Sequence, residues 1–270
     1  MFPTIISLSH HLTLENLVDR LKASSQVVGL ALFGSPPAEN PASDYDLLVV
    51  LANPPVKMFQ MSTFIGGRGA DIAFSESEIV ERVLKLDQPV SATSPEGFLM
   101  SWLEHATILY DNGQLARVQE KSRAKNWRLP LTDADTYAEW FWLNFDLRHV
   151  KRLATSTDMV HLMVADMRLM GCVSQICRSY SRLRDKPWRG EKNALRYLQT
   201  HDPAFFDLLQ QFLRESDRGQ RINRCEQLIR QTLDDKIWPP GATSVWMKDG
   251  QVSGVEEALA FWEALILREK

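Results

Sequence analysis

The sequence predicts an α/β unit with a small mixed sheet, followed by an α-helical bundle. Short apolar runs bounded by Gly, Ser and Pro fill the first half, which is the pattern of buried strands. Beyond Pro130, apolar residues recur at three- and four-residue spacing over long proline-free stretches, the pattern of packed helices. The charge balance shifts along the same axis. Residues 1–120 carry 7 Lys+Arg and 14 Asp+Glu, residues 121–236 carry 21 and 15, and residues 237–270 carry 3 and 5. The expected domains are 1–128 and 129–270, the second ending in a tail helix.

Residues 13–23 read as a helix, with Thr13 as N-cap and Leu14, Leu17, Val18 and Leu21 on one face. Residues 26–33, QVVGLALF, read as a buried strand ending at Gly34. Gly34 to Ser43 is a loop, and Asp46–Leu51, DLLVVL, is a second buried strand. Gly66, Gly67 and Gly69 precede a third short strand at Asp71–Phe74. Ser75 and Glu78 stand at capping-box spacing before a helix over 76–86. Residues 106–110 are a fourth strand, followed by a helix up to about Lys125. The second half predicts helices over 133–153, 157–184, 191–200, 203–215, 218–236 and 254–267.

Composition excludes several classes. Apolar residues make up 44% and charged residues 24%, which is ordinary for a globular protein and excludes disorder and collagen. No stretch approaches the ~18 apolar residues of a membrane span. MFPTIISLSHHLTLENL lacks the basic and apolar regions of a secretory signal, so the expected location is cytoplasmic. Cys172, Cys177 and Cys225 form no CxxC pair and read as reduced thiols. His10 and His11 have no ligand partner at zinc spacing.

The chemistry concentrates in Leu32-Phe33-Gly34-Ser35, then eight residues, then Asp44-Tyr45-Asp46 followed by Leu47-Leu48-Val49-Val50. Residues two apart on a strand face the same side, so Asp44 and Asp46 point into one space. Two carboxylates so placed suit Mg²⁺, an oxygen-preferring cation. A Gly-Ser turn offers N–H groups and a hydroxyl to a phosphate. Asp71 supplies a third carboxylate if its strand is a neighbour in the sheet.

This order of motifs resembles the polymerase-beta-like nucleotidyltransferase superfamily. It is most similar to bacterial minimal and antibiotic-type nucleotidyltransferases with a helical C-terminal domain. The resemblance is specific over residues 13–75 and weaker to about 236. It implies a nucleotidyltransferase domain over 1–128 that moves NMP, most simply AMP from ATP, to a hydroxyl acceptor with release of pyrophosphate. It assigns Gly34 and Ser35 to the phosphates. Asp44 and Asp46 go to two Mg²⁺ ions, and Asp71 goes to the catalytic one. Metal affinity should fall at low pH, because the ligands must be deprotonated. The spacer PPAENPAS lacks the arginine that many minimal relatives carry. A basic loop, Lys186–Lys192, opens a helix and could compensate, with Arg189 and Lys192 as phosphate contacts.

Asp135, Glu139, Trp142, Asp146 and His149 recur along one helical stripe, and Glu139 or Asp146 is the candidate general base. The competing expectation is a solvated face. Arg196 and His201 match a permissive ribonuclease spacing, better read as a surface Arg and a helix-terminal His. Met159, Met163, Met167 and Met170, with Cys172 and Cys177, read as core packing. The acceptor is a small molecule or a protein hydroxyl, and the basic bundle argues mildly against polycationic aminoglycosides. A homodimer is possible, and nucleic acid and membrane are not expected partners. The alternative function is a non-catalytic nucleotide-binding regulatory or antitoxin-type module.

Overall fold

The computed structural model describes residues 12–34, 44–124, 126–186, 188, 190–247, 252 and 254–266. The chain forms two compact units, Met1–Leu129 and Pro130–Lys270. The first is α/β with a small mixed sheet and the second is helical, the fold class that the sequence predicts.

Unit 1 is built on five strands: β1 (Val27–Phe33), β2 (Tyr45–Leu51), β3 (Gln60–Ile65), β4 (Arg68–Glu76) and β5 (Thr107–Asp111). Their order is β3-β4-β2-β1-β5. β2 and β4 run parallel, and the other neighbours are antiparallel. Helix α1 (Leu14–Lys22) covers one face, where Val18 packs with Leu30, Leu47, Val49 and Ile72. Helices α2 (Ser77–Lys85), α3 (Pro95–Leu103) and α4 (Leu115–Arg123) cover the other, over Ala31, Leu48, Val50 and Ala73. Burial on both faces explains why the central strands read as continuous apolar runs rather than alternating ones.

Two elements lie outside the sequence expectations. β3 joins β4 through Gly66 and Gly67, with φ of +58° and +78°. A two-residue turn with both φ positive matches the strand twist and suits a glycine pair. β3 is an edge strand with mostly exposed residues, so it gives no apolar run to recognise. α3 is capped by Ser94, which accepts from the Gly97 N–H at 3.1 Å, with Pro95 in the first turn. Its nine residues, PEGFLMSWL, bury Gly97, Leu99, Met100 and Leu103 and half-bury Phe98 and Trp102, so its apolar positions run together rather than marking one face. One expectation needs correction. Ser75 and Glu78 do not form a capping box. Pairing of β2 with β4 continues to Leu51 and Glu76, so Ser75 belongs to the strand. Its hydroxyl is buried without a hydrogen-bond partner among the described residues.

Unit 2 packs α5 (Asp133–Ala154), α6 (Met159–Leu183), α7 (Glu191–His201), α8 (Pro203–Arg214) and α9 (Arg218–Thr232) around one core. Thr132 and Asp135 make a complete capping box at the start of α5. After α9 the chain straps onto α5. Trp238 N–H donates to Asn144 Oδ1 at 2.7 Å, and Trp246 stacks on Tyr137 with centroids 5.9 Å apart. Helix α10 (Val255–Ile266) follows, with no buried residue. Cys172, Cys177 and Cys225 are buried as free thiols. The methionines depart from expectation. Met159, Met163, Met167 and Met170 are all exposed, Met167 by 73%. The bundle core takes the opposite face of α6, with Ala165, Leu169, Cys172 and Ile176. No helix of the described residues is long and apolar enough to cross a membrane.

Candidate functional site

Asp44, Asp46 and Asp71 converge at one end of the central sheet. Asp46 and Asp71 are register partners across the parallel β2–β4 pair. Asp44 lies two residues before Asp46, on the same side by strand periodicity. One carboxylate oxygen from each lies within 4.8 Å of the others, and all three residues are half-buried. A set of three oxygen donors at this spacing fits a hard divalent cation, which accepts carboxylates alongside water or phosphate oxygens.

The parallel pairing makes this convergence possible. β3 returns the chain from the end of β2, so β4 starts again from the same end of the sheet. Gly34 closes the neighbouring strand. Phe33 pairs with Asp46, and Gly34 follows with φ +76°. A Cβ built on Gly34 would stand 2.1 Å from Asp46 Oδ2. Both the backbone conformation and the close carboxylate therefore demand glycine here. Ser35, the rest of the 35–43 loop, Arg189, and His10 with His11 lie outside the described residues.

A cleft of about 120 Å³ opens beside the carboxylates, lined by Asp46, Asp71, Phe33, Phe59, Gln60 and Trp102. Trp102 lies 5.7 Å from Phe33, 6.0 Å from Phe59 and 5.8 Å from Phe98, ring centre to ring centre. One side of the acidic cluster is thus an aromatic wall. Sequence reasoning missed it because Trp102 sits on α3 and Phe59 just before β3, the two unforeseen elements.

The helical stripe has a different fate. Arg182 bridges Asp135, at 3.2 Å, and Glu139. Ser179 donates to Glu139 at 2.5 Å, and Arg168 meets Asp146 at 2.5 Å. The stripe is therefore largely an α5–α6 seam rather than a solvated face, and both candidate bases hold structural ion pairs. Hydrogen bonding from Thr132, with the Arg182 charge, holds the Asp135 carboxyl below its ordinary value against burial. His149 packs against Phe145 with ring centres 4.5 Å apart and planes tilted by 45°; burial and then the Arg168 and Arg152 charges push its pKa down. In the loop before α7, Gly190 adopts φ +81° and Lys192 is exposed in the first helical turn. His201 lies at the end of α7 and stacks on Tyr197 at 4.3 Å.

No protein-family model matches the chain, and no curated protein matches it. Among solved structures it is similar to a nucleotidyltransferase-like protein from Exiguobacterium sibiricum 255-15. The two are 15% identical with a TM-score of 0.40, over 82% of this chain and 73% of that one.

Proposed function

We propose that the chain is a nucleotidyltransferase that moves a nucleoside monophosphate, most simply AMP from ATP, onto a hydroxyl acceptor. The observation that carries this reading is the convergence of Asp44, Asp46 and Asp71 beside Gly34. In the reaction an acceptor oxygen forms a bond to the α-phosphorus. The bond to the β-phosphate bridging oxygen breaks, pyrophosphate leaves, and the hydroxyl proton passes to solvent or a base.

Asp44 and Asp46 would together hold two Mg²⁺ ions, and Asp71 would join them on one. The bound ions supply charge neutralisation at the phosphates and a more acidic acceptor hydroxyl. The chain's own residues then position the reactants. Gly34, whose missing Cβ lets the Asp46 carboxylate approach, and the Ser35 hydroxyl and N–H are the phosphate contacts at the end of β1 in this reading. Arg189 and Lys192 act as further nucleotide contacts in this reading. Region 1–128 is the nucleotidyltransferase domain and 129–270 the helical bundle domain with its tail helix. Catalysis of this kind is mainly positioning and electrostatics.

The test measures Mg²⁺-dependent pyrophosphate release from each NTP with candidate acceptors, followed by intact-mass analysis of the acceptor. Asp44→Ala or Asp46→Ala should cost at least ~100–1,000-fold, the scale of one lost transition-state donor. Near-wild-type turnover in both variants would sink the assignment. Nucleotide binding without turnover in the wild type, for every acceptor class, would favour a regulatory module.

A further inference from the structure

The aromatic wall of the carboxylate cleft has no part in phosphate or metal binding. Phe33, Asp46 and Asp71 stand abreast on three neighbouring strands, because Phe33 pairs with Asp46 and Asp46 with Asp71. Directly paired residues rise from the same face of a sheet. Ala73 follows on that face two residues beyond Asp71, and Gln60 pairs with it from β3. Helix α3 brings Trp102 over this row. Its ring is tilted by 33° to Phe33 and by 48° to Phe59, and it stacks on Phe98 at 18°. Trp102 is therefore braced from behind. Phe59 stands at the rim, 57% exposed, and its carbonyl accepts from the Phe74 N–H at 3.0 Å, which fixes its backbone.

Size and lining narrow the occupant. The cleft of about 120 Å³ is close to the ~150 Å³ of an apolar cavity that takes up benzene. It is well below the ~300–1,000 Å³ of pockets for whole drug-sized molecules. One flat ring fits, and a whole nucleotide does not. Beyond its two carboxylates the lining offers hydrogen bonds only from the Gln60 amide and the Trp102 indole. A sugar ring would bury several hydroxyls there without partners. The described lining residues include no His, Lys or Arg, so an anionic ring finds no counter-charge among them.

The carboxylates also separate the acceptor from the nucleotide base. Asp46 and Asp71 belong to the lining itself, so an oxygen bonded directly to a ring in the cleft lies at their edge. A nucleobase is held off from its α-phosphate by the whole ribose. We infer, on the nucleotidyl-transfer reading, that this cleft is the acceptor subsite and that the acceptor is a hydroxyl borne on an aromatic ring, the group shared by small phenols and tyrosine side chains. The phenolic oxygen bonds to the α-phosphorus, and the bond to the bridging oxygen breaks. Pyrophosphate leaves with that electron pair, and the phenolic proton passes to solvent. A phenol, with a pKa of ~10, releases that proton far more readily than an alkanol.

The first test is binding, read without turnover. 4-Fluorophenol is titrated with the full chain and Mg²⁺, without nucleotide, and followed by ¹⁹F NMR. Binding should saturate with a dissociation constant of order millimolar, the scale for so few atoms. Phe59→Ala and Trp102→Leu should each weaken it by roughly twofold to tenfold, the worth of one aromatic contact. Their MgATP affinity, by calorimetry, should stay at the wild-type value. Phe59 is exposed, so its variant carries the test if Trp102→Leu fails to fold. The second test offers Mg²⁺ and each NTP with 4-fluorophenol, N-acetyltyrosinamide, a tyrosine peptide, a serine peptide and glycerol, and reads the products by mass. Transfer should favour the aryl hydroxyls. A faster tyrosine peptide would identify a protein acceptor, and a faster free phenol a small molecule. Transfer to serine or glycerol but to no phenol would overturn the aryl acceptor and leave the nucleotidyltransferase standing. Transfer to none of a full range of acceptors would remove the nucleotidyltransferase reading and the acceptor role together. Phenol binding that ignores both substitutions would overturn the subsite. So would a loss of MgATP affinity in Phe59→Ala, which would give the wall to the nucleobase.

Discussion

In unit 1 three carboxylates converge to within 4.8 Å of one another, whereas in unit 2 acidic side chains meet arginines. Asp135 and Glu139 share Arg182, Asp146 meets Arg168, and Asp166 meets Arg218 through two hydrogen bonds. Opposite charges hold two helices in register. Like charges gathered on neighbouring strands repel, and a bound cation would relieve that repulsion. The bundle therefore pairs these carboxylates for architecture, whereas the sheet gathers three in a geometry that could hold a cation.

The bundle side of this comparison can be broken most sharply at Glu139. Its side chain is only 9% exposed and is held by Ser179 and Arg182. Glu139→Ala leaves the Ser179 hydroxyl without its acceptor and Arg182 with Asp135 as its remaining partner, so unfolding free energy should fall by about 1–3 kcal/mol. Turnover of the protein that remains folded should stay near wild type. Urea unfolding and active-site-normalised rates check the two halves. A variant of full stability that has lost turnover would return Glu139 to the role of general base.

The sheet side should respond in the opposite sense. Asp71→Asn removes one charge from the cluster, so without divalent cation its melting temperature should equal or exceed the wild type's. Added Mg²⁺ separates them. At ~100 times its dissociation constant it should stabilise the wild type by ~2.7 kcal/mol, and the variant by much less. Calorimetry with MgATP sharpens the division of labour, because the variant should still bind nucleotide and yet fail to transfer. Equal Mg²⁺ stabilisation of both proteins would make Asp71 a simple strand carboxylate.

The same contrast governs what the sequence made legible. Strand β1 and the run Leu47–Leu51 of β2 are apolar and flank the Gly-Ser and Asp-x-Asp residues, so the acidic pair could be placed on an element directly. Asp71 required only that its strand lie beside β2, and the parallel register supplies that. The aromatic wall was not legible. α3 is short and its apolar residues run together without a clear face, and β3 is an edge strand whose residues mostly face solvent. The α5 stripe was visible as a stripe, but spacing on one helix does not say what the next helix brings against it. The methionine row misled for the same reason. Helical spacing identifies a face, and only tertiary packing decides whether that face turns inward.

Asp111 shows a third way to hold a carboxylate, by the backbone alone, and the smallest expected effect lies there. It ends β5, and its two oxygens accept from the N–H groups of Gly113, Gln114, Leu115 and Ala116, at 2.8–2.9 Å. Those donors open α4 and would otherwise lack partners. Burial pushes the Asp111 carboxyl up, and the four N–H bonds outweigh it, so the net pKa is below the ordinary carboxylate value. A depressed folded-state pKa means stability that is present above the unfolded value of ~3.9 and lost as pH falls through the folded one. Asp111→Ala should therefore cost about 1–2 kcal/mol at pH 7, the worth of a helix cap plus its dipole term. The gap between wild type and variant should close progressively below about pH 4. Urea midpoints at pH 7 and pH 3 measure it. A gap that persists unchanged at pH 3 would mean that the side chain acts through packing and not through its charge.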